Sequence, residues 1–80
     1  MPVVFRSRGF RFFFYANEGR PRERLHIHVR QAGREAKLWL RSSLPQAYNR
    51  GFSERELCEI RELVEANREQ IETAWDEFFG

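Results

Sequence analysis

Two histidines stand one residue apart in the run Leu25-His26-Ile27-His28-Val29-Arg30. In an extended chain residues i and i+2 project from one face, so both imidazoles share a surface. An imidazole of ordinary pKa, about 6.5, can give or take a proton near neutrality. A pair of them could serve as acid and base in RNA cleavage, with Lys37 or Arg30 stabilising the phosphorane. The pair could also supply two metal ligands, but a third is needed. Glu35 is the one nearby carboxylate, and it comes alongside only if the loop joining the two strands is tight. His26, His28 and Lys37 are therefore the candidate catalytic residues. They carry no diagnostic motif, and neither a metal nor a cofactor is expected. The plainer reading makes both histidines half-exposed strand residues beside cations.

The elements that would position them follow from hydrophobic period. Leu25, Ile27 and Val29 alternate with His26, His28 and Arg30, and Ala36, Leu38 and Leu40 alternate with Glu35, Lys37 and Trp39. For the apolar sets to share a face, the connecting loop must have an even number of residues, or an odd number with a bulge. A four-residue loop, Gln31-Ala32-Gly33-Arg34, places Arg30 opposite Glu35, His28 opposite Lys37 and His26 opposite Trp39, the register expected here. A tighter two-residue loop would put His28 beside Glu35 instead. Phe10–Ala16 reads as a strand because five of its seven residues are Phe or Tyr. With both faces apolar, it belongs inside the sheet. Pro2–Arg6 reads as a first strand, followed by a turn at Ser7-Arg8-Gly9. The stretch 17–24 (NEGRPRER) reads as an exposed basic loop.

Residues 42–52 read as a connector. Ser53 and Glu56 then form a capping box, with Phe52 and Leu57 placed as its hydrophobic staple. Leu57, Ile60, Val64, Asn67, Ile71, Ala74 and Phe78 recur at steps of three and four, and Leu63, Trp75 and Phe79 widen the stripe. The spacing predicts one helix over residues 53–79, about 25 residues long. Cys58 reads as a small buried residue, and Asn67 as a polar group in the seam that must find an intramolecular hydrogen bond. The fold class is α+β: a single domain, 1–80, with an antiparallel sheet of three to four strands and one long C-terminal helix across one face.

Charge follows the same division. Residues 1–41 hold ten basic and three acidic groups, net +7, and residues 42–80 hold four basic and nine acidic groups, net −5. One cysteine excludes an internal disulfide framework and a multi-cysteine zinc ribbon. Arg6 and Arg8 stop the first apolar run, so no signal peptide is read there. No run approaches the roughly 20 residues of a membrane span, and the expected location is the cytoplasm. On the sheet face without a helix, Phe13, Tyr15, His26, His28, Arg30, Lys37 and Trp39 would form a surface of aromatics among cations, suited to base stacking. Arg20, Arg22 and Arg24 in the loop, with Arg6, Arg8 and Arg11, could grip phosphate by charge. The same face could instead bind a protein or a second copy of the chain.

The segments FRFFFYANEG, LHIHVR, EAKLWL and NRGFSERELCEIRELVEANREQIETAWDEFF, in this order and spacing, resemble the bacterial domain-of-unknown-function 4160 family across nearly the whole chain. Members of that family usually carry a Pro-Pro pair just before the His-x-His strand, where this chain has Arg24-Leu25. The resemblance singles out His26, His28, Lys37, Trp39, Asn67 and Trp75. It implies a small cytoplasmic protein of a two-gene, toxin–antitoxin-like system, whose partner is a neighbouring-gene product of the domain-of-unknown-function 2442 type. The expected function is thus an interaction module that binds a protein partner through the basic sheet face, with RNA or DNA as a further ligand. The alternative is a small ribonuclease-type toxin built on His26 and His28.

Overall fold

The computed structural model describes residues 2–18 and 23–80. Five strands, β1 (Val3–Ser7), β2 (Phe10–Phe13), β3 (His26–Gln31), β4 (Arg34–Trp39) and β5 (Gln46–Arg50), form one antiparallel sheet in chain order. Helices α1 (Glu54–Ala66) and α2 (Arg68–Phe79) follow. A 3-10 turn, Ala16–Glu18, follows β2.

Two tight turns set the registers. Arg8 and Gly9 have φ of 51° and 82°, and Ala32 and Gly33 have φ of 50° and 80°. Positive φ at both central residues is the geometry of two-residue hairpins whose twist matches that of the sheet. Positive φ favours glycine at Gly9, where a Cβ would also come within 3.0 Å of Nε2 of Gln31 and push that side-chain tip aside. The second turn gives the register expected from the alternation, with His26 opposite Trp39, His28 opposite Lys37 and Arg30 opposite Glu35. Pairing runs one step further, to Gln31 and Arg34, so the connecting loop is the two residues Ala32-Gly33 and not the four-residue loop expected.

The core lies on one face of the sheet. Phe10, Phe12, Phe14, Ile27, Val29, Ala36 and Leu38 meet Leu57, Ile60, Val64, Ile71 and Trp75 of the helices, all of them buried. The class is therefore α+β, an antiparallel sheet with helices packed on one face. The capping box forms, with Oγ of Ser53 accepting from the Glu56 amide and the Glu56 carboxylate accepting from the Ser53 amide.

The structure differs from the expectation at four further points. A fifth strand occupies Gln46–Arg50, inside the stretch read as a connector. An edge strand needs only one apolar side, and QAYNR has no alternation that period alone could reveal. The strand read over Phe10–Ala16 ends at Phe13, and the chain turns at Ala16. The helix is interrupted at Asn67, which has φ −116° and ψ 18° and whose Nδ2 donates to the Leu63 carbonyl at 2.8 Å. The intramolecular bond expected of Asn67 exists, and it is made to its own helix. Cys58 is exposed, contrary to its reading as buried. One residue after buried Leu57, it is turned about 100° around the helix, away from the core.

Candidate functional site

On the face away from the helices the cross-strand partners form three rows. The outermost runs Arg6, Arg11, Arg30, Glu35, Arg50 across all five strands. The middle row is Phe13, His28, Lys37, Tyr48. His26 and Trp39 begin the third. Strand spacing of about 4.8 Å makes the arginine row about 19 Å long.

Glu35 is the hub of this face. It is 6% exposed, and its carboxylate accepts from Tyr15 at 2.9 Å, from Tyr48 at 2.5 Å and from Nη2 of Arg30 at 2.7 Å. Burial pushes this carboxyl up, but the hydrogen bonds from Tyr48, Tyr15 and Arg30, with the charge of Arg30, outweigh burial and hold it below the usual carboxylate value. Burial and the bond to Glu35 likewise hold the Tyr48 hydroxyl well above its ordinary value. Because the Tyr48 proton points to Glu35, the Tyr48 oxygen is the acceptor for Nδ1 of His28, 3.1 Å away. That assigns the Nδ1–H tautomer to His28. Nδ1 of His26 donates to the Arg24 carbonyl at 2.7 Å, which fixes the same tautomer there.

Glu35 thus comes within 3.7 Å of His28 although the two are not direct partners. From the sequence, the two come side by side only in the other register of the hairpin. The structure achieves it along the diagonal of the ladder, where residues j±2 remain within reach of long side chains. Lys37 donates to Glu23 at 2.7 Å and lies 4.6 Å from the Trp39 ring centroid.

Aromatic packing closes over the histidines. His28 stacks on Phe13 at 5.4 Å and meets Tyr15 edge-on at 4.6 Å. His26 lies 5.1 Å from His28, 5.6 Å from Trp39 and 5.0 Å from Trp75. Of the residues the resemblance singles out, five meet here, and Asn67 stands apart at the helix junction. His26 and His28 are 0% and 2% exposed, not half-exposed strand residues. Phe13, at 0% exposed, is part of a minor core and has no face to offer a base. Lys37 is also buried, whereas Tyr15, Arg30 and Trp39 are half-buried and Arg24 is exposed. Arg20 and Arg22 lie outside the described residues. Among the described residues no three His, Cys, Asp or Glu side chains stand together as a metal site.

Two participants had no strong signal in the sequence. Tyr48 lies on the strand hidden in the connector. Glu35 was legible as the partner of Arg30, but not as the acceptor for Tyr15, just past the end of β2, and Tyr48, on the neighbouring β5.

A small α+β domain, with a five-stranded antiparallel meander backed by two helices and a tyrosine–histidine–carboxylate cluster on its other face, is the class that fold and site define. The chain matches the family model described as Domain of unknown function (DUF4160) over residues 9–76, and it belongs to that family. Neither a curated protein nor a solved structure matches it. Among the described residues no helix is long and apolar enough to cross a membrane.

Proposed function

We propose that this protein is a non-catalytic interaction module of a bacterial two-gene, toxin–antitoxin-like system, acting in the cytoplasm. Its basic sheet face would take an acidic surface of the neighbouring-gene product, a protein of the domain-of-unknown-function 2442 type. The observation that carries this reading is the outer row: four arginines on four of five adjacent strands, with one carboxylate among them. Like charges side by side destabilise a sheet, and Glu35 already serves Arg30 and two tyrosines. A partner that brings carboxylates to this row relieves that repulsion, while the acidic outer faces of the helices orient it by charge.

Co-expression with the neighbouring gene should yield a complex that weakens as salt rises. Charge reversal at the exposed Arg24 and Arg50, Arg24→Glu with Arg50→Glu, should weaken it by about tenfold or more, mostly through slower association. No co-purification, or binding indifferent to salt, would remove this reading.

A ribonuclease reading needs an imidazole at hydrogen-bond distance from the substrate. Burial of both histidines favours binding over catalysis. The purified protein is expected to leave RNA uncut between about pH 5 and 8, with or without divalent metal. Cleavage that His28→Ala abolishes while the fold persists would reverse the choice.

A further inference from the structure

Arg6, Arg11 and Arg30 stand side by side on three adjacent strands. Against the turns at Gly9 and Gly33 the surface beside them sinks into a cavity of about 420 Å³. Its described lining carries these three guanidinium groups and the Gln31 amide, and no carboxylate. Nε of Arg11 and Nε of Arg30 are buried and have no hydrogen-bond partner among the described residues. Glu35 holds Arg30 through Nη2 at 2.7 Å and leaves its Nε without a partner among the described residues. Arg6 and Arg11 make no ion pair among the described residues. Gln31 accepts from Arg34 through Oε1, which leaves Nε2, beside Gly9, as a donor.

Planar cationic donors lining a concavity whose described lining carries no carboxylate match an oxyanion, and guanidinium groups bind phosphate in bidentate fashion. One carboxylate would satisfy one arginine. A tetrahedral dianion can serve three, and the cavity has room for a phosphoryl group with its ester substituent. We infer that this cavity is a phosphoryl-binding site, filled by free phosphate, a phosphate monoester or a nucleic-acid backbone phosphate. The inference rests on reading the arginine row as a binding surface, and it names the ligand chemistry of the row's β1–β3 end.

The test is a titration of the full chain with inorganic phosphate, followed through the arginine Nε–Hε resonances. Saturable shifts of Arg11 and Arg30 are expected. Arg6→Gln and Arg11→Gln should each weaken binding by about tenfold, their folded state being read from the same spectra. Arg55→Gln, on the exposed side of α1, should leave it unchanged. Competition by a nucleoside 5′-monophosphate but not by a single-stranded oligonucleotide identifies a small ligand. Competition by the oligonucleotide identifies a backbone phosphate, and either result supports the site. Shifts that never saturate, or that Arg55→Gln reduces as much as Arg11→Gln, overturn it. Absence of phosphate binding beside intact, salt-sensitive partner binding defeats this inference alone, and the converse result defeats the partner reading alone.

Discussion

Replacing Glu35 by alanine is expected to destabilise the protein by about 3 kcal/mol, since the hydroxyls of half-buried Tyr15 and Tyr48 each lose an acceptor at roughly 1–1.5 kcal/mol apiece or more. Arg30 contributes less to this loss, because its side chain is 41% exposed and its ion pair is screened. In a domain of this size the change lowers Tm by roughly 12–24 °C. Glu35→Gln keeps one carbonyl acceptor and should cost about half as much.

The same residue gives the fold its acid sensitivity. A carboxyl held below its usual value stabilises the fold fully above the unfolded-state pKa, 4.5, and that stability is lost as pH falls through the lower value it has in the fold. Glu56 acts in the same direction, lowered by the Ser53 amide and by Arg34. Urea unfolding followed below about pH 4.5 should therefore show wild-type stability falling as acid is added, and a shallower fall in Glu35→Gln. Equal acid slopes in the two proteins would mean that Glu35 is not the hub described here.

Trp75→Ala is expected to cost about 4 kcal/mol, in the range for deleting a buried aromatic ring. Trp75 is 4% exposed and packs 5.3 Å from Phe14, 4.3 Å from Phe79 and 5.0 Å from His26. It is the side chain through which α2 reaches the histidine cluster, so its loss should also shift the ring resonances of His26. Phe78, three residues along the same helix, is 44% exposed. Phe78→Ala should cost less than about 1 kcal/mol. Similar losses in the two variants would contradict this assignment of the buried stripe.

Much of the scaffold was legible because local patterns and tertiary needs agree. The alternation in Leu25–Arg30 and Glu35–Leu40 narrowed the central register to even steps, since a slip by one residue would turn Ile27 and Val29 out of the core. Ser53 and Glu56 marked the helix start through backbone donors that any helix must satisfy. Agreement failed where a residue's environment comes from far along the chain. QAYNR became a strand because β4 offers an unpaired edge, a fact that its own composition does not carry. Phe78 satisfies the helical steps as well as Trp75 does, and both meet Phe14, yet only Trp75 is buried and reaches His26.

By itself the sequence determined the α+β class, the pairing of the two central strands and the division between a basic sheet and acidic helices, because period, caps and charge are local properties of the chain. Tertiary structure alone decided the site. It buried His26, His28 and Phe13 under neighbouring rings, gathered Tyr15 and Tyr48 on Glu35, and aligned Arg6, Arg11, Arg30 and Arg50 in one row. The physical reason is that burial and cross-strand neighbours depend on which segments meet, and those segments lie up to 44 positions apart in the chain, from Arg6 to Arg50.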